Sequence, residues 1–405
     1  ALSSSIKNNF GVSKEKVTGS GDNQKKTTKD AETYNSEVLS AAEKRLEKYK
    51  TLHAASLAQE KNYWTTVRKN LKSGTDAWYE ATQKIQELDT PEIQPNEVLI
   101  NTAYAGVCGT DHDLYAGRPG SAPAVPPIIL GHENSGVVAA IGSEVTNVKV
   151  GDRVAVDPNI YCGQCEYCLT QRPELCDHLS AVGVTRNGGL AEQFTAPATV
   201  VYKLPDNVSL RDAAAIEPVS CAVHGLDLLK LRPYQKALVI GDGFMGQIFA
   251  QLLQAYGVHQ VDLAGIFDEK LQRNKEQFGV TETYNTTREQ IPADSYDVIV
   301  EAVGLPTTQA QAVAAAKKGA QVLMFGVGPQ EAHFEMNTYD IYKKQLTIQG
   351  SFINPLTFRD VISLVSSGKM NIGGLISHEL ELEQVQDFLD GKITGVSKAV
   401  VKVGK

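Results

Sequence analysis

The chain has no excess of basic residues, no long apolar run and little aromatic mass. Lys and Arg number 39 against 47 Asp and Glu, for a net charge of −8, and only 7% of residues are aromatic. That balance leaves no basic footprint for neutralising a nucleic-acid backbone, so no nucleic-acid partner is expected. No apolar stretch approaches the roughly 18 to 20 residues that span a bilayer, so no membrane segment is expected either. The opening residues ALSSSIKNNFGVSK lack the apolar core of a secretory signal, and the expectation is a reducing, cytoplasmic setting. Cysteine is also scarce, yet four of the six fall in one run, YCGQCEYCLTQRPELC at 161–176. In a reducing compartment such a cluster reads as a metal site before a disulfide framework.

A chain of 405 residues, 42% hydrophobic and 21% charged, exceeds one ordinary core and implies two or three domains. Residues 1–29 are polar and lysine-rich (VTGSGDNQKKTTK) without apolar periodicity, and read as disordered or as a tag. A mitochondrial presequence would favour arginine, which this stretch does not contain. Over 30–71, Leu39, Ala42, Leu46, Tyr49, His53, Leu57, Trp64, Val67 and Leu71 recur at helical spacing. They predict a long helix or helical hairpin that packs on its own chain or on a partner. Lys72-Ser73-Gly74-Thr75 breaks the pattern, so 1–75 reads as an appended, mainly helical extension. From Asp76 short alternating stretches separated by Pro and Asn predict a β-rich domain. Beyond Leu229 the runs KALVI, QVDLAGI, YDVIVEAV and AQVLMFGV alternate with helical stretches. Such alternation is the mark of βαβ units around a parallel sheet. The expected division is 1–75, then 76–228 together with 352–405, with 229–351 inserted as the parallel-sheet domain.

Within that insert, a buried-strand run (237–240) leads into Gly241-Asp242-Gly243-Phe244-Met245-Gly246 and then an apolar helix. A GxGxxG between strand and helix is the fingerprint of a dinucleotide site. Gly241 permits the tight turn, Gly243 the close approach of a pyrophosphate, and Gly246 the packing of helix on strand. The acidic residue expected about 20 positions later, for the adenosine ribose, is missing. That place holds Gly265, with Asp262 three residues early and Asp268 three late. NADP therefore becomes admissible, with Lys270 and Arg273 as cations within reach, and the choice between NAD and NADP stays open. If Gly265 is the selector, Gly265→Asp shifts preference toward NAD.

Two groups of metal-ligating residues stand out. Cys162, Cys165, Cys168 and Cys176 follow CxxCxxC with a fourth cysteine after seven residues. Four thiolates close a tetrahedral Zn²⁺ site and leave no position for substrate; an iron–sulfur cluster or disulfides are the competing readings. The second group is dispersed: Cys108 in GVCGTD, His132 with Glu133 in GHEN, and Glu217 in the apolar run AAAIEP. One Cys, one His and one Glu leave a fourth coordination position open, as a catalytic zinc requires.

From Asp76 onward the chain resembles the zinc-dependent medium-chain dehydrogenase/reductase family. The resemblance rests on GVCGTD (106–111), GHENSG (131–136), VGDRVAV (150–156), the four-cysteine run, GGLAEQF (188–194) and GDGFMG (241–246). It implies a GroES-like catalytic domain interrupted by a Rossmann domain, and a dimer or tetramer. IEPVSCAVHG (216–225) is similar to the sorbitol dehydrogenase branch. On that resemblance, Cys108, His132 and Glu217 hold catalytic zinc with Glu133 close by, and Cys221 is a packing residue. Thr110 starts proton removal and Asp111 orients His132; Asp113 stands where relatives carry a relay histidine, with His112 one place earlier. The expected activity is reversible, NAD(P)-dependent oxidation of a secondary hydroxyl of a polyol, with two zinc ions per chain. Threonine- or butanediol-type dehydrogenases are the alternative, and a non-catalytic scaffold using residues 30–71 is a further one.

Overall fold

The computed structural model describes residues 33–44, 46, 57–73, 75–87, 91–118, 122, 124–126 and 128–404. They belong to two units, Ala1–Pro91 and Glu92–Lys405.

In the first unit residues 33–44 are helical, and helices Leu57–Lys69 and Asp76–Glu87 pack on one another. The stripe read from the sequence is buried: Leu39, Ala42, Leu46, Trp64, Val67 and Leu71 share a core with Ala77 and Ala81. Asp76–Glu87 corrects the expected start of the β-rich domain. Trp78 and Tyr79 have strand-like bulk, but Ala77, Trp78 and Ala81 recur at helical spacing, and this helix covers the stripe instead of opening a sheet. Helices Leu57–Lys69 and Asp76–Glu87 thus form a packed pair, and the first strand waits until Glu97. Residues 1–29, Tyr49 and His53 lie outside the described residues. No helix among the described residues is long and apolar enough to cross a membrane.

The second unit holds two large sheets. In the first, strands Glu97–Val107, Glu133–Ile141, Arg153–Val156 and Val201–Lys203 follow in order. Gln193–Pro197 pairs with the start of Glu97–Val107. The chain's last strand, Ala399–Lys402, returns to pair antiparallel with residues 104–107, and His378–Glu381 lies beyond it. This sheet therefore draws on both ends of the unit, and the segment between forms the second sheet.

All six strands of that second sheet are parallel, in the order Thr283–Asn285, Gln260–Gly265, Lys236–Ile240, Tyr296–Glu301, Ala316–Met324, Thr347–Gly350. In chain order this is 3-2-1-4-5-6, the dinucleotide-binding arrangement, whose crevice opens where the order reverses beside Lys236–Ile240. Residues 237–240 and 298–300 are continuous apolar runs because both faces of the sheet are covered. Val239, Val261 and Leu263 face a core shared with Ile248 and Phe249, while Leu238, Ile240 and Ala264 face Tyr296 on the other side. Helix Ile216–Asp227 is buried nearly all round and packs against Phe244–Ala255 and Phe358–Ser366. It carries Glu217 in its first turn to where the two sheets meet.

Candidate metal and dinucleotide centre

Strand Glu97–Val107 delivers Cys108 at its end, where the chain turns into helix Gly109–Tyr115. Strand Glu133–Ile141 begins directly after His132 and pairs Glu133 with Gly106. Asp111 ties the two segments together. It is fully buried, accepts from Cys108 N–H at 2.9 Å and Gly131 N–H at 3.2 Å, and lies 3.4 Å from His132 Nδ1. Burial alone would raise its pKa, but His132 and the two N–H groups outweigh burial and hold it below the ordinary 3.8. Asp111 thus stays a carboxylate that faces the Nδ1 edge of the imidazole at 3.4 Å, without a hydrogen bond between them.

One ligand atom each from Cys108, His132 and Glu133 lie within 4.8 Å of one another. Glu133 is fully buried, its Oε1 has no hydrogen-bond partner, and Oε2 is held by Lys398. Lys398 also donates to Val107 C=O at 3.2 Å and lies 5.0 Å above the Phe244 ring. A buried carboxylate oxygen without a donor beside a thiol and an imidazole fits a zinc ligand set. Gly106 is part of the same design, because a Cβ there would meet Glu133 Oε2 at 1.9 Å. Glu217 lies outside this set, contrary to its expected place as third ligand. Its Oε1 accepts from Cys221 Sγ at 3.3 Å, one helical turn on, and burial raises its pKa. Glu133, expected close by, is therefore the acid grouped with Cys108 and His132, and Cys221 donates to Glu217.

Thr110 sits half-buried in the first turn after Cys108. Asp113, at the relay position, is held by Arg118 at 2.7 and 2.9 Å, and His112 packs edge-on against Phe388. The four clustered cysteines converge as expected: one sulfur from each of Cys162, Cys165, Cys168 and Cys176 lies within 4.8 Å of the others. A short ribbon, Asn159–Ile160 with Ser180–Ala181, closes the base of this lobe. None of the six cysteines is in a disulfide.

The glycine-rich turn fits a dinucleotide. Gly241 has φ +126°, and a Cβ on Gly246 would sit 1.8 Å from Gly241 O, whereas one on Gly243 would meet nothing within 4 Å. The open face over Gly243, at the start of helix Phe244–Ala255, is the space a pyrophosphate needs. Phe244 is turned under Lys398 and links this helix to the metal-ligand cluster, while Met245 packs on the core. Lys270 extends over the Phe267 ring at 4.6 Å. Lys398 is not legible as a site residue, since nothing in SKAVVKV (397–403) sets it apart from Lys402 or marks it as facing a site.

Both acidic neighbours of Gly265 are committed elsewhere. Asp262 points to the far face of the sheet, where Tyr296 Oη (2.9 Å), Lys236 Nζ (3.1 Å) and Glu282 N–H (3.2 Å) satisfy it. Asp268 is bound bidentately by Arg288 and by Asn285 Nδ2 at 2.8 Å, which holds its pKa down to about 2.

Residues 94–206 match the family model of the alcohol dehydrogenase GroES-like domain, and 245–367 that of zinc-binding dehydrogenase. The chain is 33% identical to D-arabinitol dehydrogenase 1 of Uromyces fabae over 328 residues, 78% of this chain and 93% of that protein. It is 31% identical to sorbitol dehydrogenase of Bacillus subtilis over 318 residues, 76% of this chain and 89% of the other. A zinc-binding dehydrogenase of Sinorhizobium meliloti, crystallised with NADP, superposes with a TM-score of 0.74 at 32% identity, covering 77% of this chain and 94% of that one.

Proposed function

Because this chain belongs to the zinc-dependent medium-chain dehydrogenase/reductase family, we propose that it reversibly oxidises a secondary hydroxyl of a polyol to a ketone. The observation that carries the reading is the convergence of Cys108, His132 and Glu133 next to the helix into which the dinucleotide turn leads, with Lys398 touching both. Those three residues would hold the catalytic metal, and Cys162, Cys165, Cys168 and Cys176 a second one with a closed shell. Zinc, when bound, supplies a Lewis acid that eases loss of a hydroxyl proton, and NAD(P) supplies the hydride acceptor.

The chain's own groups orient this chemistry. Asp111 faces the Nδ1 edge of His132, Lys398 fixes Glu133, and the open face over Gly243 receives the cofactor's phosphates. Thr110 would relay the hydroxyl proton, accepting it as its own hydroxyl proton passes on to water, and the hydrogen on the carbon bearing that hydroxyl would go as hydride to the nicotinamide. The polyol preference rests on the likeness to arabinitol and sorbitol dehydrogenases. Six unpaired cysteines fit a cytoplasmic protein. The edge strand Thr347–Gly350, with exposed Tyr342 on the helix before it, fits a homo-oligomer. A panel of polyols, simple secondary alcohols and amino alcohols, assayed with zinc-loaded protein and each cofactor, tests the reading. Polyols are expected to show the highest kcat/KM, and turnover of no secondary alcohol would sink it.

A further inference from the structure

Gly265 ends the second strand of the parallel sheet, where a dinucleotide fold commonly presents the acid that receives the adenosine ribose. The space a side chain would take there is filled. A Cβ built on Gly265 would lie 2.4 Å from Asp242 Cβ, 2.4 Å from its Oδ2 and 2.5 Å from its Cγ. Asp242, second residue of the glycine-rich turn, therefore projects its carboxylate across to the end of the neighbouring strand. There Oδ2 accepts from Ile266 N–H and Phe267 N–H, both at 2.8 Å. Asp242 is only 6% exposed, and no hydrogen bond reaches its Oδ1 among the described residues. A nearly buried carboxylate is thus held rigidly at the ribose end of the cradle with one oxygen uncommitted.

We propose that Asp242 receives the adenosine ribose hydroxyls in place of an acid at 265 and makes the chain select NAD over NADP. A 2′-phosphate would have to lie against this fixed negative charge. The groups that offset such a phosphate elsewhere are spent here. The Ile266 and Phe267 N–H groups donate to Asp242 itself. Arg273 donates to the Gly374 carbonyl, and Arg288 is clamped on Asp268. Lys270 lies over the Phe267 ring. Descent does not decide the matter, since a relative of similar fold holds NADP. The glycine at 265 and the aspartate at 242 form one device, in which the small residue on the strand makes room for the acid on the turn.

The proposal rests on the dinucleotide site but not on the identity of the alcohol, so it is tested by binding without turnover. The zinc-loaded full chain is titrated with NADH and NADPH, following nicotinamide fluorescence. The wild type is expected to bind NADH at least about tenfold more tightly. Asp242→Asn retains an acceptor for the two N–H groups and removes the charge. It is expected to cut the NADPH/NADH ratio of Kd values about tenfold or more, chiefly by tightening NADPH. Asp242→Ser, whose hydroxyl also accepts from backbone, serves as the second variant, with circular dichroism reporting the fold of each. A wild type that binds NADPH as tightly as NADH overturns the proposal, as does an unchanged ratio in a folded variant. Binding of neither cofactor would overturn the dinucleotide site itself, whereas an inactive polyol panel with NADH selectivity intact would sink only the substrate reading.

Discussion

Lys398 and Glu133, 265 residues apart in sequence, form a buried ion pair at the metal-ligand cluster, with side-chain exposures of 5% and 0%. Neither charge is tolerable there alone, because a buried ion without its partner pays the full loss of hydration. Lys398→Met keeps the aliphatic stem and removes the partner. The metal-free protein is expected to lose about 3–5 kcal/mol of stability, and zinc to restore part of it by giving Glu133 a new counter-charge. Denaturant unfolding with and without zinc measures both. A loss below about 1 kcal/mol without metal would show that the pair contributes no more than a surface contact.

Cys176→Ser opens the four-thiolate shell but leaves Cys108, His132 and Glu133 untouched. Metal analysis of the wild type is expected to give about two zinc ions per chain, and the variant about one. Hydrogen exchange should rise in the Asn159–Ile160 and Ser180–Ala181 ribbon while the parallel sheet stays protected. Two zinc ions in the variant would mean that the cluster is not the second site.

Asp157 is buried beside Asn159 and Asn354, accepting from Asn159 N–H at 3.0 Å and Asn354 Nδ2 at 3.2 Å. Burial, with Glu217 adding repulsion, lifts its pKa from 3.8 to about 7. Between those values the unfolded chain has released a proton that the folded chain keeps, so stability falls as pH rises, and the loss levels off above 7. Asp157→Asn removes this titration. At constant zinc, the stability of the wild type relative to the variant should decline from pH 4 to 7 and then stay flat. A difference independent of pH would mean that Asp157 ionises in the fold as freely as in the unfolded chain.

Gly265→Asp, which sequence reasoning alone would expect to raise NAD preference, has a different outcome in this fold. The new Cβ would press on the Asp242 carboxylate at 2.4 Å. Both cofactors are expected to bind about tenfold more weakly, about 1.4 kcal/mol, as fluorescence titration would show. Tighter NADH binding would mean that the turn yields without cost.

Local order was legible wherever a residue's role follows from its neighbours in the chain. The glycine-rich turn is one such case, since strand, glycine spacing and helix follow one another directly over 236–255. The four-cysteine lobe is another, because ligands two or seven residues apart can meet without the rest of the fold. The helix Asp76–Glu87 is not legible in the sequence, because a Trp-Tyr pair and the following Pro91 and Pro95 imitate strand and turn. What settles its helical state is the Leu39–Leu71 stripe it covers, a contact that periodicity alone does not assign.

Composition and spacing by themselves determined that this is a multidomain α/β protein with a dinucleotide turn, a closed cysteine cluster and a second, dispersed ligand set. The tertiary structure decided which acid goes where. Glu133 rather than Glu217 meets Cys108 and His132 because Gly106 leaves room for it and Lys398, directly before the last strand, balances its charge. Asp242 rather than a residue near 265 occupies the ribose end because a side chain reaches across strands, not along the sequence. A carboxylate's role is set by its burial and its donors, and those come from segments more than 20 or 260 residues away.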